Sequence, residues 1–196
     1  MKLVLATHNR HKMEEIRDIL TGLPIDLLSL DNFPEVGELI EDGATLEENA
    51  KKKARAVYVK TGILSLADDT GLEVAILGGR PGVYSARYSG ESATYEKNNE
   101  KLLGELSDVP IEKRNATFKC VIAIIGNGIE DTAVGEVHGR IIERTRGKNG
   151  FGYDPLFVPD GYDLTYAEMN SALKNKLSHR AKALDGAKRI LRKLIS

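Results

Sequence analysis

The sequence predicts an α/β protein in which helices flank a mixed, twisted sheet. Up to Asp69, strand-like and helix-like segments alternate, which is typical of parallel strands joined by helices. Further along, two β-rich segments at 118–125 and 132–142 flank Asn127 and Gly128. Because that pair accepts the positive φ angles of a tight hairpin turn, an antiparallel pair of strands should join the parallel ones.

The early elements follow from apolar spacing and from helix-end signals. Strands are predicted at 2–6, 25–30 and 63–67, and helices through 13–23 and at 45–62. Thr45 and Glu48 form a capping box at the start of the second helix, and Gly62 supplies its end. The third strand is expected to end on Asp68 and Asp69.

The later elements are predicted in the same way. They are a strand at 72–77, a Gly-rich loop at 78–90, a helix at 94–106, the hairpin, a helix from Thr165 and an amphipathic helix at 178–195. Thr165 and Glu168 repeat the capping-box spacing. No repeat, low-complexity tract or long linker divides the sequence, so a single domain over residues 1–196 is expected.

Composition excludes several classes of protein. The 28 basic and 29 acidic side chains nearly balance, so no overall positive field would gather nucleic acid or anionic lipid. No apolar run approaches the roughly 20 residues that a membrane span needs. The single cysteine, Cys120, lies in an apolar segment, excludes an intramolecular disulfide and fits a reducing compartment. The sequence therefore predicts a cytoplasmic protein without a nucleic-acid or membrane partner.

Basic side chains gather at the predicted start of the first helix. The loop that follows the first strand consists of Thr7, His8, Asn9, Arg10, His11 and Lys12. Positive charge there opposes the helix dipole, so local helix stability explains it poorly. A bound phosphate explains it better, because free backbone N–H groups and the dipole attract anions to a helix N-terminus. A solvated basic turn is the alternative.

A similar pattern returns at the start of the last predicted helix. Ser178 has the N-cap position there, and His179 and Arg180 follow at once. Two basic helix starts suggest one anionic ligand for both. Since the rest of this helix is rich in Lys and Arg, an ordinary solvated helix start is the alternative.

Acidic residues follow the third predicted strand. Asp68 and Asp69 come where α/β sheets commonly place ligands, beside the carboxyl end of a strand. Adjacent carboxylates repel each other unless a cation is present, and Mg²⁺ binds through one or two carboxylates together with substrate phosphates. Glu41 or Asp42 could supply a further ligand. Because Asp also caps turns, we expect one of the two Asp residues to cap and the other to bind metal.

An aromatic segment offers a possible base-binding surface. Phe151, Gly152, Tyr153, Asp154 and Pro155 combine aromatic rings with a flexible glycine and a carboxylate. Such a segment could stack on a nucleobase and hydrogen-bond to its edge. Taken alone, it is also typical of an ordinary turn with a hydrophobic anchor.

Together these segments resemble the inosine triphosphate pyrophosphatase family, also called the Ham1-like family. The resemblance spans nearly the whole chain and rests on six motifs in order, at 7–12, 41–50, 67–72, 81–87, 151–155 and 178–180. It implies an elongated α/β fold with two lobes and a central cleft, and usually a homodimer. It also implies hydrolysis of the noncanonical purine nucleotides ITP, dITP and XTP to the monophosphate and pyrophosphate, which clears deaminated purines from the nucleotide pool.

The resemblance also implies roles for individual residues. Asp69 would be the general base, Glu41 and Asp69 the Mg²⁺ ligands, and the residues from Thr7 to Lys12 a cradle for the triphosphate. The nucleotide-binding site would be lined by Thr70, Phe151, Gly152, Tyr153, Asp154, Lys174, His179 and Arg180. This chain has Thr70 where serine is frequent in the family, and Leu173 before Lys174 where an acidic residue is common.

Two other functions compete with this one. A related pyrophosphatase could act on pyrimidine or modified nucleotides with the same metal chemistry. A nucleotide-binding or RNA-binding module without turnover is suggested by the basic last helix. Without a metal, however, Glu41, Asp68 and Asp69 would repel the phosphates of the bound nucleotide or RNA. A P-loop NTPase is disfavoured because the sequence contains no G-x-x-x-x-G-K-[ST] motif.

Overall fold

The computed structural model describes residues 1–195. Its strands are β1 (Lys2–Leu5), β2 (Asp26–Leu28), β3 (Ser65–Val74), β4 (Pro81–Gly82), β5 (Asn115–Gly126), β6 (Ile129–Ile141) and β7 (Phe157–Pro159). Its α-helices are α1 (Arg10–Leu20), α2 (Leu46–Thr61), α3 (Tyr95–Glu105), α4 (Ser171–Leu177) and α5 (His179–Ile195). None of the helices in this part of the chain is long and apolar enough to cross a membrane.

The strands form one mixed sheet, as the sequence predicts. The strand order is β2-β1-β3-β5-β6-β7, and β4 pairs with β3. Strand β1 runs parallel to β2 and β3, whereas β4 is antiparallel to β3 and β7 is antiparallel to β6. The sheet is mixed because helices connect the parallel strands, whereas antiparallel strands can follow each other through short turns.

The chain divides into two compact units, each with its own apolar core. The first comprises residues 1–69, 120–135 and 180–196, and the second comprises residues 70–119 and 136–179. In the first unit, β1, β3 and β5 pack against apolar faces of α1 and α5, for example through Leu5, Ile16 and Leu184. In the second unit, the core contains the rings of Phe118, Phe157 and Tyr166, which pack against one another.

The structure confirms the predicted ends of helix α2 and the predicted turn between β5 and β6, all of which depend on local sequence. Thr45 Oγ1 accepts a hydrogen bond from Glu48 N (3.1 Å), and Gly62 adopts the left-handed conformation that ends α2. Asn127 and Gly128 have φ angles of 53° and 80°, so the turn between β5 and β6 has the predicted backbone.

Two sequence-based predictions of elements are wrong. Strand β3 does not end at Asp68 and Asp69 but continues to Val74, so the separate strand at 72–77 does not exist. The aspartates can remain within the strand because cationic side chains compensate their charge, as described below. No helix begins at Thr165, although the two hydrogen bonds of the predicted capping box form between Thr165 and Glu168.

Long-range hydrogen bonds explain why residues 165–168 form a turn instead. Tyr166 N donates to Phe157 O (3.1 Å), and Ala167 O accepts from the backbone N–H groups of Lys148 and Asn149. A helix here would use these backbone groups internally, so tertiary pairing overrides the local signal. Helix α4 begins at Ser171, six residues after Thr165, and the side chain of Asn170 caps it.

Candidate functional site

The residues predicted to bind substrate fall into two clusters, one in each unit. The first unit contains the loop before α1, Glu41, Asp69 and Arg180. The second contains Thr70, the segment 151–154, Lys174 and His179.

The loop before α1 is ordered by its own side chains. Asn9 caps α1, because its Oδ1 accepts from Lys12 N (3.3 Å), and Thr7 Oγ1 accepts from Asn9 N (3.1 Å). The His8 Nε2 atom lies 3.2 Å from Gly37 O, while the Arg10 and His11 side chains are exposed on the first turn. A helix start without acidic residues and with several basic ones is suited to an anion.

Asp68 is the fully buried anion of this cluster. Its Oδ2 lies 3.0 Å from Arg180 Nη2 and 3.2 Å from Lys12 Nζ, and Arg180 also pairs with Glu15. Burial alone would raise the pKa of Asp68, but the charges of Lys12, Arg180 and Lys53 outweigh it and hold that pKa well below its usual range. Asp68 is therefore ionised at neutral pH and fixes two cationic side chains.

Asp69 has a different environment from its neighbour. Its Oδ2 accepts from Asn49 Nδ2 (3.1 Å), and its Oδ1 lies 3.3 Å from Lys53 Nζ. Burial raises the pKa of Asp69 above its ordinary value, although the charges of Lys53 and Lys12 oppose this rise. A carboxylate whose pKa is raised toward neutrality is a better proton acceptor than an ordinary one.

Lys53 links the acidic residues of the first unit. Its Nζ donates to Glu41 Oε1, to the Asp68 carbonyl oxygen (2.7 Å) and to Asp69 Oδ1. Burial lowers the pKa of Lys53, but the charges of Asp69, Asp68 and Glu41 raise it further than burial lowers it. Lys53 is therefore cationic, and the carboxylates of Glu41 and Asp69 both contact its ammonium group.

The two carboxylates on Lys53 fit the requirements of Mg²⁺. Magnesium usually binds proteins through one or two carboxylates and takes its other ligands from water and substrate phosphates. Glu41 and Asp69 supply two such groups, and residues 1–195 contain no larger group of His, Cys, Asp and Glu suited to hold a metal ion. The donor set thus matches an open magnesium site, whereas zinc would require more ligands from the protein.

In the second unit, Asp154 joins Phe151 to Lys174. The Asp154 Oδ2 atom accepts from Phe151 N (2.8 Å) and from Lys174 Nζ (2.6 Å), and both side chains of this ion pair are buried. Lys174 Nζ lies 4.9 Å from the centroid of the Phe151 ring. A β-carbon at Gly150 would lie 2.1 Å from Asp154 Oδ2, so only glycine allows the loop to approach this carboxylate so closely.

His179 is held flat against an aromatic core. Its ring stacks on Phe118 with 4.4 Å between the centroids and 6° between the planes, and Tyr166 lies next to it. Tyr153 is also buried, and its hydroxyl donates to Ser85 O (2.9 Å). Thr70 is half-buried at the point where β3 enters the second unit. Contacts of His179, Tyr153 and Thr70 with a nucleotide stay predictions.

Comparisons with known proteins decide the family. The model of the Ham1 family matches residues 3–190. The chain belongs to the Ham1 family. It is 53% identical over 184 residues to the dITP/XTP pyrophosphatase of Geobacter sulfurreducens, covering 93% of this chain and 92% of that protein. It is 49% identical over 195 residues to the dITP/XTP pyrophosphatase of Desulforamulus reducens, covering 99% and 97%.

Solved structures agree with the Ham1 assignment. A Ham1 protein from Coxiella burnetii superimposes with a TM-score of 0.90 at 38% identity, covering 98% of this chain and 99% of that one. A nucleoside-triphosphatase described as a dITP/XTP pyrophosphatase from Mycobacterium abscessus gives a TM-score of 0.77 at 41% identity, covering 95% and 98%. These confirm the predicted family and its mixed α/β fold.

For this Ham1 family member, the sequence-based predictions assigned no role to Lys53 or to Asn49, although Asn49 lies in the 41–50 motif. Both lie on α2, and both are buried with side chains directed to Asp69. A signal existed, because Lys53 lies between Ala50 and Ala54 on the apolar side of the helix. A lysine within an apolar stripe indicates a buried partner, since an unpaired buried ammonium group is costly.

Proposed function

We propose that this protein hydrolyses ITP, dITP and XTP to the nucleoside monophosphate and pyrophosphate, and so removes deaminated purines from the nucleotide pool. The observation that carries the proposal is the level of identity, about half of all residues over nearly the full length, to proteins named dITP/XTP pyrophosphatase. The two clusters described above supply the chemistry that this reaction needs.

The first unit is suited to the triphosphate. The loop from Thr7 to Lys12 offers a capped helix N-terminus and several basic side chains. Lys12, Lys53 and Arg180 are positioned by Asp68, Asp69 and Glu41, so little reorganisation is needed when an anionic substrate arrives. Preorganised cations stabilise the charge that develops on leaving pyrophosphate.

We propose Mg²⁺ as the cofactor, held by Glu41 and Asp69. When bound, the ion would supply Lewis-acid polarisation of the phosphates. Lys53 contacts both carboxylates in the chain as it stands, and it keeps them together and partly neutralised. Mg²⁺ would bind this pair only if the Lys53 ammonium group moves away from at least one of the two carboxylates.

Asp69 would orient the attacking water and promote loss of its proton. Water oxygen bonds to the α-phosphorus, the bond from the α-phosphorus to the bridging oxygen breaks, and pyrophosphate leaves with that oxygen. Burial raises the pKa of Asp69 in the metal-free protein, whereas Mg²⁺ on the same carboxylate would lower it, so Asp69 would act on the water through the metal rather than as a free base. Lys53 and Asn49 hold its two oxygens and fix the direction from which it meets water.

The second unit would recognise the base. Phe151 presents a ring for stacking, and Lys174 beside it is a donor suited to the 6-oxo group of hypoxanthine or xanthine. The 6-amino group of ATP would bring a donor against this donor, an unfavourable contact that the 6-oxo group does not make. This explains discrimination against ATP, whereas GTP shares the 6-oxo group and must be rejected at its 2-amino position.

Substrate profiling tests the proposal against its rival, a pyrimidine or modified-nucleotide pyrophosphatase. With Mg²⁺, ITP, dITP and XTP should each give monophosphate and pyrophosphate, with kcat/KM at least about 100-fold above that for ATP and GTP. EDTA should stop the reaction, and added Mg²⁺ should restore it. Faster cleavage of dUTP than of dITP would favour the rival, and no turnover would favour a binding module. The homodimeric state stays a prediction from the family resemblance, and the cytoplasmic location stays a prediction from the composition.

A further inference from the structure

One face of helix α3 contacts the loop that carries Phe151. Tyr95 and Asn99 lie one helical turn apart on this face. The Tyr95 and Phe151 rings are 6.0 Å apart between centroids, and Asn99 Nδ2 donates to the carbonyl oxygen of Gly152 (3.0 Å). The helix thus reaches both the aromatic ring and the peptide next to it.

Backbone bonds from Lys148 and Asn149 to Ala167 O hold one side of this loop, but core packing does not hold the side that faces α3. Residues 147–150 are exposed, and Gly147, Gly150 and Gly152 all have positive φ angles. A pocket of about 480 Å³ is lined by α3 residues and by this loop, among them Asn99, Leu103, Asn149 and Phe151. Open space therefore borders the loop here, and directed contacts must fix its position.

Asn99 itself is poorly explained as a contributor to stability. Only 7% of the surface of Asn99 is exposed. Its buried Oδ1 atom nevertheless has no hydrogen-bond partner among residues 1–195. A buried amide that makes one hydrogen bond and leaves its oxygen without a partner contributes less to stability than a fully bonded one. The bond to Gly152 O is the contact that distinguishes Asn from Leu at this position.

We infer that Asn99 is a positioning residue for recognition of the nucleobase, acting through Gly152 on Phe151. Asp154 fixes the backbone nitrogen of Phe151, and Asn99 fixes the carbonyl group of the next residue. Together they hold the backbone on both sides of the ring, while Tyr95 borders the ring itself. The inference rests on the proposed function, in which Phe151 stacks on the base.

The test is Asn99→Leu, which keeps the branched shape of the side chain and removes the donor. KM for dITP should rise about tenfold while kcat changes less than about threefold, because base binding is weakened before the chemical step. The melting temperature should not fall, since an apolar group replaces a half-satisfied amide. Asn99→Asp, which keeps the shape but cannot donate when ionised, should show the same rise in KM. Glu100→Gln, on the same helix and pocket wall, should behave like wild type.

Inorganic tripolyphosphate separates base recognition from phosphate binding, because it has no base. Its inhibition constant should be the same for wild type and Asn99→Leu. An unchanged KM for dITP in Asn99→Leu, or a rise in KM matched by an equal rise in the inhibition constant of tripolyphosphate, would overturn the inference and leave the proposed function intact. If wild type itself hydrolyses neither dITP nor XTP, the proposed function fails and the inference fails with it.

Discussion

Replacement of Asp69 by Asn should lower kcat for dITP by about 10³-fold, the effect expected when a group that assists proton transfer is lost. The amide cannot accept the proton of the attacking water, and it is a weaker ligand for Mg²⁺ than a carboxylate. The measurement is steady-state release of pyrophosphate from dITP at saturating Mg²⁺.

The fold of this variant should be intact. Asn can keep the hydrogen bond from Asn49 Nδ2 (3.1 Å in wild type) through its own Oδ1. Because burial raises the pKa of Asp69, the charged form of this side chain is disfavoured in the folded protein, and a neutral amide removes that penalty. Loss of the Asp69 charge also removes one partner of buried Lys53, but Glu41 and the Asp68 carbonyl oxygen remain, so thermal unfolding should begin only slightly earlier than in wild type.

Asp42→Asn is the matched control for Asp69→Asn. Asp42 follows Glu41 directly, but its exposed carboxylate pairs with Lys52 (2.8 Å). The same chemical change there should leave kcat near the wild-type value. Activity of Asp69→Asn within tenfold of wild type would refute its role in activating the water.

Replacement of Asp68 by Asn should lower the free energy of unfolding by about 3–5 kcal/mol at neutral pH. Removal of this buried carboxylate leaves Arg180 and Lys12 with less compensating negative charge. Urea denaturation of both proteins at the same pH measures the difference. Asp185→Asn, which breaks an exposed pair with Lys188 (3.3 Å), is the control and should change stability little.

The pH dependence gives a second measurement of the Asp68 effect. Lys12, Arg180 and Lys53 overcome the effect of burial and keep the folded-state pKa of Asp68 far below its unfolded value of about 4. A carboxyl group with a lowered pKa stabilises the fold above its unfolded pKa and loses that contribution as the pH falls toward the folded value. The difference between wild type and Asp68→Asn should therefore narrow below about pH 4. A constant difference across this range would contradict the role given to the charge of Asp68.

Elements governed by local sequence could be predicted well. Thr45, Gly62 and Thr94 mark helix ends that the structure reproduces, because capping depends on a few neighbouring residues. The turn at Asn127 and Gly128 follows from their backbone preferences. Motifs in order along the chain were sufficient to identify the family, since they do not depend on contact geometry.

Features that depend on distant residues could not be predicted in the same way. Strand β3 passes through Asp68 because Arg180, far along the chain, neutralises it, and no local pattern reports such a partner. The turn at Thr165 depends on backbone pairing with Lys148 and Asn149. Asn99 lies in none of the six motifs, and the role inferred for it depends on its hydrogen bond to Gly152 O, which the sequence does not reveal.

The sequence predicted a set of site residues but not the contacts between them. The expectation that one of the two aspartates caps a turn is wrong, because both lie buried within β3 and have different partners. Asp68 pairs with Lys12 and Arg180, whereas Asp69 contacts Asn49 and Lys53. The roles of Asp69 and Glu41 toward a metal stay predictions.

Hydrolysis of dITP in water enriched with ¹⁸O tests the central claim most directly. Mass spectrometry of the products from one turnover shows which phosphorus atom receives the water oxygen. Attack at the α-phosphorus predicts deoxyinosine monophosphate with one ¹⁸O atom and pyrophosphate with none. Label in the pyrophosphate, or release of the diphosphate and inorganic phosphate, would contradict the account.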